Sequence, residues 1–474
     1  MNPNTTEILE KILRRIVPST VEKERVYSLS KKIMERVSSA AREAALNAEV
    51  SLEGSVAKDT WLSGEADIDI FLKVESSLDR KELETTCLEV AKEATKEYTP
   101  IERFADHPYV ETFIGNARVN IVPCYRVEKG MWKSATDRTP YHTEYMNRHL
   151  SPELRNETRL LKKFTKGTGT YGAEIRVGGF SGMLCETLIL FYGSLKKTLG
   201  GAASWRSGTV IDIENHYGGD LEEIHNLFDQ PLIVIDPVDK VRNLAAAVRD
   251  ERLWEFVSAS RLFPLKPAHG FFYPPKQKTI TPRSFTKVAS QRGTCVIGLQ
   301  FGRFTAPVDV VWSQMYKTEK SLINLMRSKG FSVVRSSSYS DENDFNIIMI
   351  ELESRILPRT TKHLGPPVER IAESNKFLST HLRAENTVAG PWIEKDRWVA
   401  HKRRRYTDAK QLLEDSLTKG GRDIGVSSLI AECIRKNNYR ILTDRQLTKF
   451  LNIEGFSKFM IDHLVGKPHW LTQP

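Results

Sequence analysis

A glycine–serine pair is followed, twelve residues after the serine, by the first of two aspartates that are separated by a single residue. The pair is Gly54-Ser55, and the aspartates are Asp67 and Asp69. Side chains alternate along a strand, so carboxylates at positions i and i+2 point to the same face. Apolar residues lie between and after the aspartates and would fill the opposite face. The pattern predicts a strand that is anchored in a core and carries two carboxylates on its other face.

Small residues and paired carboxylates suit the chemistry of phosphate transfer. A small-residue turn lets backbone N–H groups approach phosphates. Two carboxylates on one face can bridge two Mg²⁺ ions, which hold the attacking and leaving oxygens. Alone, a Gly-Ser turn or an Asp-x-Asp strand is more often structural, and the combination at this spacing is the signal. The stretch resembles the signature of the DNA polymerase β-type nucleotidyltransferase superfamily.

Composition limits the class of protein. A chain of 474 residues is too long for one core and predicts three or four domains. The 70 basic and 60 acidic residues give a net charge of +10, which favours a polyanionic partner. The five cysteines are scattered without a CxxC pair, which argues against a disulfide framework and a zinc site. No signal peptide or membrane-spanning run is found, so we expect a cytoplasmic protein with no membrane partner.

Further motifs narrow the resemblance. In chain order they are His107-Pro108-Tyr109-Val110, Val122-Pro123-Cys124-Tyr125, Asp137-Arg138-Thr139-Pro140-Tyr141-His142, Arg159-Leu160-Leu161-Lys162, Tyr171-Gly172-Ala173-Glu174, Gly179-Phe180-Ser181-Gly182, Asp236-Pro237-Val238-Asp239 and Arg242-Asn243. In this order they are similar to the archaeal (class I) CCA-adding enzymes. The resemblance implies template-independent addition of C, C and A to the 3′ end of tRNA from CTP and ATP, with release of pyrophosphate.

The resemblance also implies an α+β multidomain fold. We expect a polymerase-β-like nucleotidyltransferase head at residues 1–148, and a helical neck with part of the body at 149–284. An α+β tail is expected at 285–385, where the pattern favours a ferredoxin-like β-α-β-β order, and C-terminal body helices at 386–474. The family often forms dimers, so a homodimer is also implied.

Individual residues acquire expected roles from the family motifs. Asp67 and Asp69 match metal ligands, which implies two Mg²⁺ ions in the active complex. The residues expected to bind the nucleotide are Ser55, Lys58, His142, Lys162, Tyr171 and Arg242. Arg242 matches an arginine that reads the Watson–Crick edge of the incoming base. Singly, each of these residues also has an ordinary structural role, and the shared order of the motifs favours the functional one.

Other charged residues are candidates for contacts with RNA or for local pairing. The basic run Lys402-Arg403-Arg404-Arg405 is a candidate contact for the tRNA acceptor stem, although a solvated turn is nearly as good an interpretation. Asp137 and Arg138 could form a local ion pair. Asp236 and Asp239 flank a proline turn and could cap a helix. We assign none of these acids to the metal.

The chain departs from the family at one catalytic position. The third carboxylate of the family should precede the Val-Pro-Cys-Tyr motif, and this chain has Asn120 there. If Gly115-Asn116 forms a two-residue hairpin turn, counting back places Glu111 opposite Asn120. Directly paired residues have Cβ atoms about 4.5–5.5 Å apart. We hypothesise that Glu111 supplies the missing carboxylate. The alternatives are that Asn120 suffices or that the enzyme is slowed or inactive.

Two other functions stay open at this point. A poly(A) or oligoadenylate polymerase would share the motif of the head, but the later motifs argue against it. An RNA-binding protein with a weakened catalytic head is favoured only by Asn120. Retention of Asp67, Asp69 and Ser55 counts against that second alternative.

Overall fold

The computed structural model describes residues 3–104, 108–276 and 279–472, and the chain divides into two compact units. The first unit comprises Met1–Lys276 with Lys467–Pro474, and the second is Gln277–Gly466. His107, which begins one of the family motifs, lies outside the described residues. The boundaries expected at residues 148, 284 and 385 stay predictions.

The first unit combines helices with two sheets. Its helices are α1 (Pro3–Ile16), α2 (Thr20–Glu43), α3 (Gly54–Ala57), α4 (Arg80–Thr95), α5 (Thr139–His149), α6 (Pro152–Thr168), α7 (Gly182–Tyr192), α8 (Leu195–Ala202), α9 (Leu221–Leu227) and α10 (Asp250–Leu265). Its strands are β1 (Ala48–Glu53), β2 (Asp67–Glu75), β3 (Ile101–Phe104), β4 (Pro108–Ile114), β5 (Ala117–Arg126), β6 (Thr209–Ile211), β7 (Leu232–Asp236) and β8 (Asp239–Asn243).

Five strands form the sheet that carries the Asp-x-Asp motif. Their order is β1-β2-β5-β4-β3, and only the pair β2 and β5 is parallel among the described residues of this sheet. Helices α2 and α4 cover one face, where Ile68, Ile70 and Leu72 are completely buried. The predicted alternation of β2 is therefore confirmed. The opposite face carries Asp67 and Asp69, followed by the buried ring of Phe71.

Helices make up most of the rest of the first unit. Ser151 and Ser181 cap α6 and α7 by accepting hydrogen bonds from backbone N–H groups in the first turn. A core of apolar side chains from α1, α6, α7, α8 and α10 surrounds Phe164. Trp470 joins this core, since its ring stacks on Phe271 with centroids 5.8 Å apart. A small sheet with the order β6-β7-β8 brings Asp236 and Asp239 to its end.

The second unit contains two further sheets. Its helices are α11 (Pro282–Arg292), α12 (Val308–Ser328), α13 (Ile371–His381), α14 (Ala409–Leu417), α15 (Ser428–Arg435) and α16 (Glu454–Val465). Its strands are β9 (Cys295–Phe301), β10 (Val333–Ser340), β11 (Asn346–Leu352), β12 (Thr360–Pro367), β13 (Thr387–Glu394), β14 (Arg397–Arg403) and β15 (Tyr439–Thr443). The succession β9-α12-β10-β11 confirms the predicted β-α-β-β order. These strands and β15 form one antiparallel sheet in the order β10-β11-β9-β15.

The prediction that residues 386–474 are helices is wrong in part, because they include β13, β14 and β15. Gly390 and Pro391, whose pairing predicts a loop, lie inside β13. Proline lacks an N–H donor and is tolerated at a sheet edge. Strand β13 is an edge strand in the order β12-β14-β13, and its register shifts between Ala389 and Trp392. Within the described ranges, none of the helices is long and apolar enough to cross a membrane.

Candidate active site

Gly54 lies where β1 meets α3 and leaves room for the carboxylate of Asp69. Its φ of +71° is in the left-handed region, which favours glycine. A Cβ atom at Gly54 would lie only 2.1 Å from Oδ2 of Asp69. Ser55 follows directly in α3, so the Gly-Ser turn does stand beside the second aspartate. Glycine is therefore required by close packing as well as by backbone conformation.

Asp67 and Asp69 share the polar face of the sheet, as predicted. The parallel register places Asp69 beside Asn120, whose Nδ2 donates to Oδ1 of Asp69 over 2.9 Å. Burial raises the pKa of Asp69 to about 6, and the charge of Asp67 adds to this, while the hydrogen bond from Asn120 opposes it. Oδ1 of Asn120 is buried, and none of the described residues gives it a hydrogen bond. A buried acceptor of this kind calls for a ligand or a cation.

The predicted register between β4 and β5 is confirmed. Ile114 pairs with Ala117 across the turn, and Glu111 pairs with Asn120. The carboxylate of Glu111 is buried and is held by a guanidinium group, since Nε and Nη2 of Arg103 both lie 2.8 Å from its Oε1. That Glu111 completes the metal site stays a prediction.

Arg118 is a residue of this face that sequence reasoning missed. It pairs with Asp67 in the parallel register of β5 and β2. Its Nε donates to Oδ1 of Asp67 over 2.9 Å, and its Nη2 donates to Oδ2 over 2.7 Å. Arg118 lies two residues before Asn120, so the alternation that placed Asn120 on this face also places Arg118 there. That spacing was the signal that could have revealed it.

The donor set of this face fits a hard divalent cation. Mg²⁺ prefers oxygen ligands, and two carboxylates with a neighbouring amide oxygen provide them. The unpaired, buried Oδ1 of Asn120 is the observation that supports this fit. Within residues 3–104, 108–276 and 279–472, no three His, Cys, Asp or Glu side chains are grouped as a metal site. Asp67 and Asp69 are therefore a carboxylate pair beside the neutral amide of Asn120.

Two of the expected phosphate-binding lysines meet at one buried carboxylate. Nζ of Lys58 lies 2.5 Å from Oε2 of Glu186, and Nζ of Lys162 lies 2.8 Å from its Oε1. Thr60 also donates to Glu186, over 2.6 Å. Burial would raise the pKa of Glu186, but the two lysines lower it to about 2. Burial lowers the pKa of Lys162, against the charge of Glu186.

Glu186 is a second residue that sequence reasoning missed. It lies 128 residues from Lys58 in the chain, on α7, so no local pattern joins the two. A buried glutamate inside an apolar helix was the available signal, because a buried carboxylate needs a cationic partner. Two lysines and one glutamate leave one net positive charge in this buried place, which favours an anionic ligand.

His142 and Arg242, both expected at the nucleotide, meet at Asp236. Nε2 of His142 lies 2.8 Å from Oδ2 of Asp236, and Nη1 of Arg242 donates to the same oxygen over 3.2 Å. Burial would raise the pKa of Asp236, but the hydrogen bond and charge of His142, the backbone N–H of Val238 and the charge of Arg242 hold it below its usual value.

Asp137, Asp236 and Asp239 have partners other than the local ones that the sequence suggests. Asp236 binds His142 and Arg242 and does not cap a helix. Asp239 accepts from Nε of Arg138 over 2.6 Å, so Arg138 pairs across 101 residues. Asp137 is buried and accepts from backbone N–H groups, including that of Tyr125 over 2.8 Å. The local Asp137–Arg138 ion pair is therefore wrong.

Tyr171 and Lys162 both approach Gly182, and their shared role at the nucleotide stays a prediction. A Cβ atom at Gly182 would lie 3.3 Å from the hydroxyl of Tyr171 and 3.6 Å from Nζ of Lys162. Tyr171 also forms a β-bridge with Phe180, which fixes its backbone. Nζ of Lys166 lies 4.9 Å from the centroid of its ring. Glycine at position 182 thus leaves the space into which both side chains reach.

The basic run of the second unit does not present its cations on one face. Lys402 and Arg403 end β14 and alternate across the sheet. Nη1 of Arg404 donates to the backbone oxygen of Lys329 over 3.3 Å, and the guanidinium of Arg405 lies 5.3 Å from the ring centroid of Tyr406. The contact of this run with RNA stays a prediction.

Comparison with known proteins shows the family. The chain is 39% identical to the CCA-adding enzyme of Methanothermobacter thermautotrophicus over 423 residues, which covers 88% of this chain and 90% of that protein. The chain belongs to the CCA-adding enzyme family. The CCA-adding enzyme of Archaeoglobus fulgidus is 32% identical over 444 residues, which covers 94% of this chain and 96% of that protein.

Three family models divide the same chain. A nucleotidyltransferase domain matches residues 31–142, and the second domain of tRNA nucleotidyltransferases matches residues 156–273. The C-terminal domain of CCA-adding enzymes matches residues 292–444. The first match contains the carboxylate face, and the second contains Lys162, Glu186 and Asp236. As a member of the CCA-adding enzyme family, the chain is a tRNA nucleotidyltransferase.

Proposed function

We propose that the chain adds C, C and A to the 3′ end of tRNA without a nucleic-acid template, from CTP and ATP, and releases pyrophosphate. The observation that carries this proposal is the placement of Asp67 and Asp69 on one sheet face within a chain of the CCA-adding enzyme family. In this reaction the 3′-hydroxyl of the tRNA attacks the α-phosphate of the nucleotide. The leaving pyrophosphate takes the electron pair of the broken P–O bond, and the proton of the 3′-hydroxyl is released to solvent.

The cations of the first unit supply the triphosphate site in this proposal. Lys58 and Lys162 carry two positive charges against the single charge of Glu186, and all three side chains are almost fully buried. A charge-assisted contact with phosphate is worth more in such a place than in water. Ser55 stands in the glycine turn and Tyr171 near Lys162, so both would bind the same polyphosphate.

Two Mg²⁺ ions belong to the proposed active complex. When bound, such ions lower the pKa of the attacking hydroxyl and neutralise charge on the leaving group. Asp67 and Asp69 would hold them, with Oδ1 of Asn120 as a neutral third donor. Asn120 also holds Oδ1 of Asp69 by its Nδ2, which keeps the carboxylate in one orientation.

Arg242 is the proposed reader of the incoming base. Its guanidinium is about two-fifths exposed and is anchored at one nitrogen by Asp236, which leaves other N–H donors for a nucleobase edge. A site that hydrogen-bonds its substrate rejects a wrong base because buried polar groups are then unpaired. His142 contacts both carboxylate oxygens of Asp236 and so fixes the carboxylate that anchors Arg242.

The remaining parts of the proposal rest on family membership. The acceptor stem and 3′ end of tRNA would be recognised mainly by shape and backbone, with Lys402–Arg405 as candidates. A cytoplasmic location and a homodimer are further predictions, the latter to be measured by light scattering during gel filtration.

The test of this function is nucleotide addition in vitro to tRNA that lacks its CCA end. We expect incorporation of two C residues and one A when CTP and ATP are both present, and almost none with Asp69→Ala. Incorporation of ATP alone, repeatedly and on any RNA, would instead indicate a poly(A) or oligoadenylate polymerase.

A second candidate function is supported by one feature of the site. Asn120 replaces a carboxylate, and Asp67 is bound at both oxygens by Arg118, so the head could be catalytically weak in an RNA-binding protein. Tight binding of tRNA without incorporation under any divalent metal would favour this candidate over the first.

A further inference from the structure

Arg118, Asn120 and Glu111 lie side by side on the carboxylate face. Arg118 precedes Asn120 by two residues on β5, and Glu111 is the direct partner of Asn120 on β4. Glu111 is thus a diagonal neighbour of Arg118 on the same face. One guanidinium group therefore stands between the carboxylates of Asp67 and Glu111.

The guanidinium of Arg118 uses two of its nitrogens on Asp67. Nε and Nη2 lie 2.9 and 2.7 Å from the two carboxylate oxygens, which is the fork geometry of a strong Arg–carboxylate pair. Both oxygens that a metal ion would use are therefore engaged by a cation that belongs to the protein. A metal ion and this guanidinium compete for the same carboxylate.

The third nitrogen of Arg118 lies near a second acceptor. Nη1 is 3.7 Å from Oε2 of Glu111, whereas Arg103 binds the other oxygen, Oε1. Glu111 is only 7% exposed, while Arg118 is 43% exposed, so the carboxylate is fixed and the guanidinium has room to move. A small rotation of the Arg118 side chain would convert this distant contact into a full hydrogen bond.

We propose that Arg118 occupies Asp67 in the metal-free enzyme and transfers to Glu111 when Asp67 binds a metal ion. Glu111 is then a positioning residue that acts through Arg118 and is not itself a ligand. This inference rests on the proposed two-metal function. It differs from the hypothesis that Glu111 replaces the missing carboxylate. It also explains why the oxygens of Glu111 face Arg103 and Arg118 and not a metal site.

Charge supports the same exchange. Asp67, Asp69 and Glu111 carry three negative charges, and Arg103 and Arg118 carry two positive charges, which leaves one net negative charge. A fixed guanidinium on Asp67 would weaken divalent binding, since like charges repel. Transfer to Glu111 keeps Arg118 paired and removes the cation from the carboxylate that the metal requires.

The experiment measures Mn²⁺ binding to the free enzyme by electron paramagnetic resonance, without nucleotide or tRNA. Arg118→Met should bind Mn²⁺ about tenfold more tightly than wild type, because the competing fork is lost. Glu111→Gln should weaken binding about threefold to tenfold. In the Arg118→Met background, Glu111→Gln should change the affinity by less than about twofold.

Two outcomes would overturn the inference. The first is unchanged or weaker Mn²⁺ binding by Arg118→Met, or no binding by any variant. The second is an equal loss from Glu111→Gln in both backgrounds, which would make Glu111 a ligand. If Arg118→Met does not fold, as judged by circular dichroism, Arg118→Lys replaces it and should give an intermediate affinity, because lysine cannot form the fork. Addition of CTP and ATP by the wild type is assayed separately, so a failure of the proposed function is distinguished.

Discussion

The side chain of Asn120 donates to Asp69 over 2.9 Å through Nδ2, while its buried Oδ1 has no hydrogen-bond partner in the part of the chain that the structure describes. One amide thus does two different things on the carboxylate face. It restrains the orientation of Asp69, and it presents a neutral oxygen where the family pattern expects a charged one. The effect of restoring the charge can be predicted from this geometry.

Asn120→Asp should lower the thermal stability of the metal-free protein and increase its stabilisation by Mg²⁺. A second carboxylate within hydrogen-bond distance of Asp69 adds like-charge repulsion to the metal-free protein, and a divalent ion relieves it. We expect a lower melting temperature in EDTA, a larger rise on adding Mg²⁺ and about tenfold tighter metal binding. Differential scanning fluorimetry and nucleotide addition at limiting Mg²⁺ are the measurements. Equal Mg²⁺ responses of wild type and variant would show that the third donor is unimportant.

Asp69→Asn should stabilise the metal-free protein at high pH and not at low pH. The pKa of Asp69 in the folded protein is about 6, above the value of about 3.9 in an unfolded chain. The folded state therefore binds the proton more tightly, and this residue makes stability fall as the pH rises from about 4 through about 6. Above that range the buried, ionised carboxylate lowers the free energy of unfolding by a constant amount, and asparagine removes this penalty.

The expected gain for Asp69→Asn is on the order of 1 kcal/mol at pH 8, after discounting for solvent at a partly buried group. Urea unfolding in EDTA at pH 4 and pH 8 measures it. Asp67→Asn is the matched control, because Asp67 is paired with Arg118 and its loss should give no gain at pH 8. A gain for Asp69→Asn that is as large at pH 4 would contradict the assignment.

Glu186→Gln should destabilise the first unit strongly. Removing this carboxylate leaves Lys58 and Lys162 buried without a counterion, and breaking a buried pair costs about 3–5 kcal/mol. Urea unfolding measures the loss. Glu65→Gln is the control, because Glu65 is 40% exposed where it pairs with Lys166, and such a pair contributes about 0–1 kcal/mol. A similar loss of unfolding free energy in the two variants would mean that Glu186 does not neutralise the buried lysines.

Gly54→Ala should lower the rate of nucleotide addition about 100-fold while costing little stability beyond backbone strain. The added Cβ atom would lie 2.1 Å from Oδ2 of Asp69, so that carboxylate must move. Displacement of a reacting group by about 1 Å costs about 100-fold in rate. Gly64→Ala is the matched control, because Gly64 has φ +76° and a Cβ atom added there would have no neighbouring atom within 4 Å to displace.

Both glycine variants should lose about 1 kcal/mol from the left-handed backbone conformation. Single-turnover addition and thermal unfolding separate the two effects. If Gly64→Ala loses as much activity as Gly54→Ala, strain rather than contact with Asp69 is responsible.

Local patterns made the carboxylate face largely predictable. Alternation along β2 placed Asp67 and Asp69 together, and the turn at Gly115-Asn116 set the pairing of Glu111 with Asn120. These are short-range rules of strand geometry. The same rules place Arg118 on this face, since it alternates with Asn120. Its acceptor, Asp67, lies on another strand and is identified only by the parallel register.

Contacts between distant segments were not predictable in the same way. Lys58 and Glu186 are 128 residues apart, and Arg138 and Asp239 are 101 residues apart. The sequence around a lysine or a glutamate does not indicate which distant residue it pairs with. The loop that Gly390-Pro391 predicts is wrong. Here a local signal is overridden by the position of the strand, because β13 lies at the edge of its sheet and needs no backbone N–H donor at Pro391.

The stacking of Trp470 on Phe271 has a consequence for the order of synthesis. Phe271 is 1% exposed and Trp470 is 3% exposed, so each ring covers part of the other within the core of the first unit. A ribosome delivers Trp470 only after every residue of the second unit has emerged. The core around α6 and α7 is thus completed last, and a nascent chain stalled before Lys467 would keep part of the ring of Phe271 in contact with water.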